Sequence, residues 1–225
     1  MYNAKNISTL ASSNNNNMKS YQDYMIILSP PENIVNYIKG LKAKSATVIG
    51  AFETQRSVPN VTVQAWPRKK PVWVEPLIPK LERDLQSLPP ITLEINGFGF
   101  FDQQEFQTIY AKINSTPETR LWFKLLRKFF STPPFEPHIT LARSIDYEDF
   151  KKLWPDFKDQ PFHARFRVDK LTILRRETIG YDKTYKVFKE IPFNHKLDFE
   201  TFTLAKLKAP VMTTKAVDEQ QISLF

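Results

Sequence analysis

A histidine two residues from a threonine on an extended segment sets an imidazole beside a hydroxyl. That is an acid–base group next to a hydrogen-bond donor for an anion. Pro137-His138-Ile139-Thr140-Leu141 is such a segment. It alternates polar and aliphatic residues with the period of a strand, so His138 and Thr140 share one face and Ile139 and Leu141 the other. Pro59-Asn60-Val61-Thr62-Val63 repeats the pattern 78 positions earlier, counting from Asn60 to His138. By the same alternation Asn60, Thr62 and Gln64 share a face opposite Val61, Val63 and Ala65. Asparagine does not titrate near neutral pH; it can donate a hydrogen bond to an anion's oxygen but cannot transfer a proton. The doubled segment suggests two related lobes, each presenting a polar pair to a shared cleft.

The rest of the chain supplies alternating strands and helices to position these segments. Tyr24-Met25-Ile26-Ile27-Leu28 reads as a buried strand ended by Pro30 and Pro31. Ile34, Val35, Tyr37, Ile38 and Leu41 follow at helical spacing. Residues 47–52 either continue this helical layer or form a short strand. Pro76 opens a second helix with Leu77, Ile78, Leu81, Leu85 and Leu88 on its apolar face, and Pro89-Pro90 stops it. Ile91 to Ile95 is a strand, Gly97-Phe98-Gly99-Phe100-Phe101 a bulged continuation or a turn, and Thr108 to Ile113 a further strand. Thr116 caps a third helix with Pro117 in its first turn; Leu121, Trp122, Leu125, Leu126 and Phe129 form its stripe. The proline-rich stretch from Thr132 to Pro137 leads into the histidine strand. Asp146 caps a fourth helix with Phe150, Leu153 and Trp154 inward. Phe162, Ala164, Phe166 and Val168 alternate with His163, Arg165 and Arg167; Leu171 to Leu174 is expected to extend that strand after a kink. Lys186 to Ile191 is the last strand.

Composition narrows the chemistry. The 225 residues are 41% hydrophobic and 25% charged, enough for a sizeable core in one or two modest domains. Five glycines against 17 prolines argue against a glycine-rich phosphate loop. There is no cysteine, hence no disulfide and no thiolate chemistry, and His138, His163 and His195 do not make a zinc pattern. A net charge of +8 favours an anionic partner. No apolar run approaches the roughly 20 residues of a membrane span, and no secretory signal is visible, so the expected location is the cytoplasm. Residues 1–20, with four consecutive asparagines, are expected to be disordered. Residues 21–194 form the folded unit, and 195–225 read as a mobile extension.

Pro137-His138-Ile139-Thr140-Leu141-Ala142-Arg143 resembles the second motif of the 2H phosphoesterase superfamily, in particular its branch of 2′-5′ RNA ligase-like proteins and RNA 2′,3′-cyclic phosphodiesterases. The element order from about Tyr21 to Asn194 is similar to that family. Ile173-Leu174-Arg175-Arg176 and Tyr185-Lys186-Val187-Phe188 sit where it places a closing hairpin. The resemblance implies an α+β, bilobal fold whose two strand–helix lobes carry antiparallel sheets facing a central cleft. It implies two histidines astride a phosphodiester, one a base and one an acid, with two threonines on the phosphate oxygens and no metal or other cofactor. The chain departs from the pattern at Asn60, where the family has histidine.

The resulting expectation is a protein acting on, or recognising, an RNA terminal 2′,3′-cyclic phosphate or a 2′-5′ phosphodiester, with reduced catalysis. His138 and Thr140 are the catalytic candidates; Asn60, Thr62 and Arg143 are the substrate-binding candidates. Gln64 shares the first motif's face and is either a ligand contact or an exposed strand residue. The alternatives are a non-catalytic RNA- or nucleotide-binding protein, and an interaction protein that works through its tail. His163, Arg165 and Arg167 form a cationic wall if their face lines the cleft, and otherwise a solvated face. The basic run Arg68-Lys69-Lys70 beside Trp66 either guides a single strand or is a soluble loop. Gln221-Ile222-Ser223-Leu224-Phe225 resembles the peptide with which bacterial proteins dock on the sliding DNA clamp, which implies a second partner of the sliding-clamp type.

Overall fold

The computed structural model describes residues 21–182, 184–196 and 199. Eight strands form one antiparallel sheet in the order β6-β3-β4-β5-β2-β1-β7-β8. They are β1 Gln22–Leu28, β2 Val61–Lys69, β3 Ile91–Gln103, β4 Phe106–Ile113, β5 His138–Ile145, β6 His163–Val168, β7 Lys170–Glu177 and β8 Lys186–Pro192. The sheet is two four-stranded halves, β6-β3-β4-β5 and β2-β1-β7-β8, joined at the pair Val61–Ile139. These are the middle residues of the two repeated segments.

The halves match strand for strand. Leu28 pairs with Val61 and Ile27 with Thr62; in the other half Ala111 pairs with Ile139 and Tyr110 with Thr140. Next come Ile26–Gln64 and Ile109–Ala142. Val63 and Leu141 are therefore the extra residues of two bulges at the same place in the two motifs. The helices repeat as well. Helix α1 (Glu32–Ile49) packs on α5 (Tyr147–Lys158), as α4 (Pro117–Phe130) packs on α3 (Ile78–Leu85). Ile26, Leu28, Val61, Ile109, Ile139 and Leu141 are fully buried on the helix side of the sheet, together with Trp122 and Leu126 of α4. The expected caps are present: Thr116 Oγ1 accepts from the amide of Thr119 at 3.1 Å, and Asp146 Oδ1 from that of Asp149 at 2.8 Å.

The structure resolves two readings left open and corrects several others. Residues 47–49 belong to α1, which runs through Ile49. The second helical stretch starts earlier than Pro76. A short helix α2 (Pro71–Val74) and a 3₁₀ turn (Glu75–Leu77) precede α3, and Leu77 is exposed. The segment Gly97 to Phe101 continues β3, with an irregularity between Ile95 and Phe98 where Gly97 takes φ +70°. Leu171 to Leu174 does not extend the preceding strand. At Asp169 the chain leaves β6, which pairs with β3, and enters β7, which pairs with β1 in the other half. Strand β2 runs on through the basic segment to Lys69. The expectations for residues 1–20 and for the clamp-like peptide 221–225 lie outside the described residues.

Candidate active site

The single antiparallel bridge at Val61–Ile139 sets Thr62 beside His138 and Asn60 beside Thr140. The buried aliphatic residues turn to the core, and the four polar side chains emerge together on the opposite, partly exposed face. The structure thus brings His138, Thr140, Asn60 and Thr62 into one site, as the alternation predicts.

The bulges decide which side chains come next on that face. Uninterrupted alternation would turn residue 142 to the motif face and Arg143 to the core. With Leu141 as the extra residue, Ala142 is fully buried opposite Ile109, and Arg143 emerges exposed on the motif face. Its Nη2 stands 3.5 Å from Thr140 Oγ1. The matching bulge at Val63 has the opposite consequence for Gln64, which pairs with the fully buried Ile26 and so leaves the motif face. The expected grouping of Gln64 with Asn60 and Thr62 is therefore wrong. Ala65 takes the place in β2 that Arg143 has in β5, so this pair of positions supplies one arginine to the site.

Thr54 clamps the β5 bulge. Its hydroxyl donates to the carbonyl of Leu141 at 3.2 Å and accepts from the amide of Arg143 at 3.1 Å. Thr54 is in turn held by Lys42 of α1, whose ammonium donates to Thr54 O (2.9 Å), Ser57 O (3.0 Å) and Ser57 Oγ (2.8 Å). Lys42 is buried, and its pKa is pushed down to about 8 by that burial, helped by the charges of Arg143 and Lys39. One buried cation thereby ties the loop leading to Asn60 to the strand of His138.

His138 is oriented from two sides. Its Nδ1 lies 2.7 Å from the carbonyl oxygen of Glu136, an acceptor, so Nδ1 carries the proton and Nε2 is the nitrogen available to a ligand. The ring packs against Phe101 and Tyr110, with centroids 5.0 Å away in both cases; Phe101 and Tyr110 stack at 4.3 Å. Burial holds the imidazole pKa below its usual value near 6.5, the Arg143 charge adds to this, and the Glu136 carbonyl opposes it. Asn60 is engaged locally: Nδ2 donates to Val58 O at 2.9 Å, and Oδ1 accepts from Thr62 Oγ1 at 3.0 Å.

Sequence reasoning missed Phe101, Tyr110, Lys112, Thr54 and Lys42. Lys112 is the direct cross-strand partner of His138 and Tyr110 that of Thr140. Alternation in β4 does separate Tyr110 and Lys112 from Ile109, Ala111 and Ile113, but only the register shows which strand they accompany. The Trp66 ring, beside the basic run, packs against Phe130 of α4 with centroids 6.1 Å apart. Two surface hollows, of about 350 and 560 Å³, lie at the end of α4 and beside β7 and β8, and neither is lined by a motif residue. Among the described residues, no three His, Cys, Asp or Glu side chains come together as a metal would require. No helix among them is long and apolar enough to cross a membrane.

Comparison with known proteins agrees with this architecture. The family model described as the 2'-5' RNA ligase superfamily matches residues 46–180. The chain belongs to that superfamily. Its fold is shared by TT0787 of Thermus thermophilus, at 17% identity and a TM-score of 0.55, covering 78% of this chain and 100% of that one. It is shared too by LigT of E. coli in its apo form (16% identity, TM-score 0.57, 77% and 98% covered). LigT complexed with 3'-AMP aligns equally well (16% identity, TM-score 0.55, 79% and 100% covered). No curated protein sequence matches the chain.

Proposed function

We propose that the motif face binds an RNA or nucleotide end bearing a 2′,3′-cyclic phosphate or a 2′-5′ phosphodiester, and that His138 opens it slowly, as the one imidazole of the two motifs. The observation that carries this reading is the fixed tautomer of His138. Nδ1–H is spent on the Glu136 carbonyl, which leaves Nε2 for a ligand, on a face where strand pairing also sets Thr62 and Thr140 and where Arg143 Nη2 lies 3.5 Å from Thr140 Oγ1.

In ring opening, His138 Nε2 takes a proton from water and the water oxygen attacks phosphorus. One ribose oxygen–phosphorus bond breaks, and the departing oxygen takes a proton from solvent, because Asn60 has none to give. Thr62, Thr140 and Arg143 hold the phosphoryl oxygens and balance their growing charge. Losing one of two proton-transfer partners costs roughly 10²–10⁴-fold in rate, so turnover is expected to be slow. LigT crystallised with 3'-AMP supports a nucleotide ligand for this fold.

The test is single-turnover opening of an oligoribonucleotide ending in 2′,3′-cyclic phosphate, with products separated by chromatography. Wild type is expected to open the ring and His138→Ala to be inert. Equal rates for the two would remove His138 from the chemistry. A second reading, binding without turnover, draws on the local engagement of Asn60 with Val58 and Thr62. It requires a wild type that binds the oligonucleotide and leaves it intact.

A further inference from the structure

Cations continue from the site across one side of the sheet. Lys112 on β4 is paired with His138. Strands β3 and β4 pair at Ile95–Ile113 and Phe98–Ala111, and all four of these residues are buried in the core. Asn96 therefore lies on the side of Lys112. Strand β6 then sets His163 opposite Asn96, Arg165 opposite Glu94 and Arg167 opposite Thr92. His138, Lys112, Asn96 and His163 thus form a row across four strands, with Arg165 and Arg167 further along β6. Lys112, Asn96, His163, Arg165 and Arg167 are all exposed, and the core and its helices lie on the other side of the sheet.

At the usual spacing of about 4.8 Å between strands, β6 lies about 14 Å from β5. The Lys112 side chain leans along this row: a Cβ at Gly97 would stand 3.8 Å from Lys112 Cε. Two carboxylates share the region. Glu94 accepts from Asn114 Nδ2 at 3.1 Å, and Glu136, beyond His138, lies 3.4 Å from the Tyr110 hydroxyl. Charges on an edge strand commonly guard it against pairing with another chain, which would account for β6 alone. Lys112 stands on an interior strand beside the histidine, where no edge needs guarding.

We infer that this side of the β5-β4-β3-β6 half is the bed of a single-stranded RNA running on from the phosphate at His138, with Lys112 and Arg165 receiving backbone phosphates. The inference rests on the proposed function. It adds where the polymer lies, and it requires a longer RNA to bind better than a nucleotide. Backbone phosphates on lysine and arginine bind without sequence preference and with strong salt dependence.

The experiment compares equilibrium binding of a 3′-phosphorylated mononucleotide and a 3′-phosphorylated hexaribonucleotide, each across a salt series. Wild type is expected to bind the hexamer more tightly. Arg165→Gln is expected to weaken the hexamer by roughly fivefold and flatten its salt slope by about 0.7, leaving the mononucleotide unchanged. Lys112→Gln should weaken the hexamer similarly. A wild type that binds the mononucleotide but gains nothing with length overturns the bed and leaves the site reading standing. So does an Arg165→Gln variant with undiminished hexamer affinity. A wild type that binds neither ligand overturns both.

Discussion

Val61 and Ile139 pair with each other across the junction of the two half-sheets, and both side chains are fully buried. Each is the central residue of its motif. The antiparallel bridge between them brings Asn60, Thr62, His138 and Thr140 together through backbone pairing, and Thr54 of the loop before Asn60 reaches across to hold the β5 bulge. Matching bulges at Val63 and Leu141 then set which side chain emerges after each motif. The scaffold of the site is therefore symmetric, and its chemistry departs from symmetry at His138 against Asn60 and at Arg143 against Ala65.

The pH dependence follows from the His138 environment. Its pKa is lowered by burial, and the neutral ring with a free Nε2 is the form that acts as a base. The rate of ring opening should rise with pH through a midpoint below 6.5 and level off by neutrality. For stability the sign is the same. A folded-state pKa below the unfolded one gives a contribution fully present above about 6.5 and lost as pH falls. Rate profiles and thermal melts of wild type and His138→Gln across the acid range check both. A rate midpoint above about 6.5 would contradict the assignment.

Gly99 makes room for the ring that supports His138. A Cβ at this position would lie 2.9 Å from Cζ and the hydroxyl oxygen of Tyr110, its cross-strand partner. Gly99→Ala must displace that ring, and with it the packing against His138. A loss of about 1–3 kcal/mol in stability is expected, with turnover reduced more than nucleotide affinity. Denaturant melts and single-turnover rates measure the two effects; wild-type values for both would show that the close approach has no consequence.

Lys42 governs the loop before Asn60. Lys42→Met takes the ammonium donor from the Ser57 carbonyl and one of three donors from the Thr54 carbonyl, which keeps the Ser57 amide and hydroxyl, and should cost about 1–3 kcal/mol. Burial depresses its pKa to about 8 from 10.5, so folding penalises the charged form. Wild type should gain stability as pH rises from about 8 toward 10.5, because the unfolded chain holds the extra proton in that window. Lys42→Met should lack this gain. Melts of both proteins over the alkaline range decide it, and parallel curves would be the contrary result.

Much of this arrangement is legible in the sequence because it rests on local signals. Alternation separates His138 and Thr140 from Ile139 and Leu141, and the caps at Thr116 and Asp146 depend on neighbours within one turn. The departures come from partner strands. Nothing in Val63-Gln64-Ala65 or Leu141-Ala142-Arg143 announces a bulge; the extra residue appears only against the register of β1 or β4. That is why Gln64 is misplaced by simple alternation. The break at Asp169 likewise reads as a kink, because both β6 and β7 alternate well, and only pairing assigns them to different halves. Lys112 and Tyr110 carry no motif of their own and acquire meaning as neighbours of His138 and Thr140.

The central claim is that the site is intact and short of one proton-transfer group. The most direct measurement is the single-turnover rate of Asn60→His against wild type on an oligoribonucleotide ending in 2′,3′-cyclic phosphate. A rise of roughly 10²–10⁴-fold, abolished by adding His138→Ala, is the expected result. A folded Asn60→His protein that opens the ring no faster than wild type would contradict the claim.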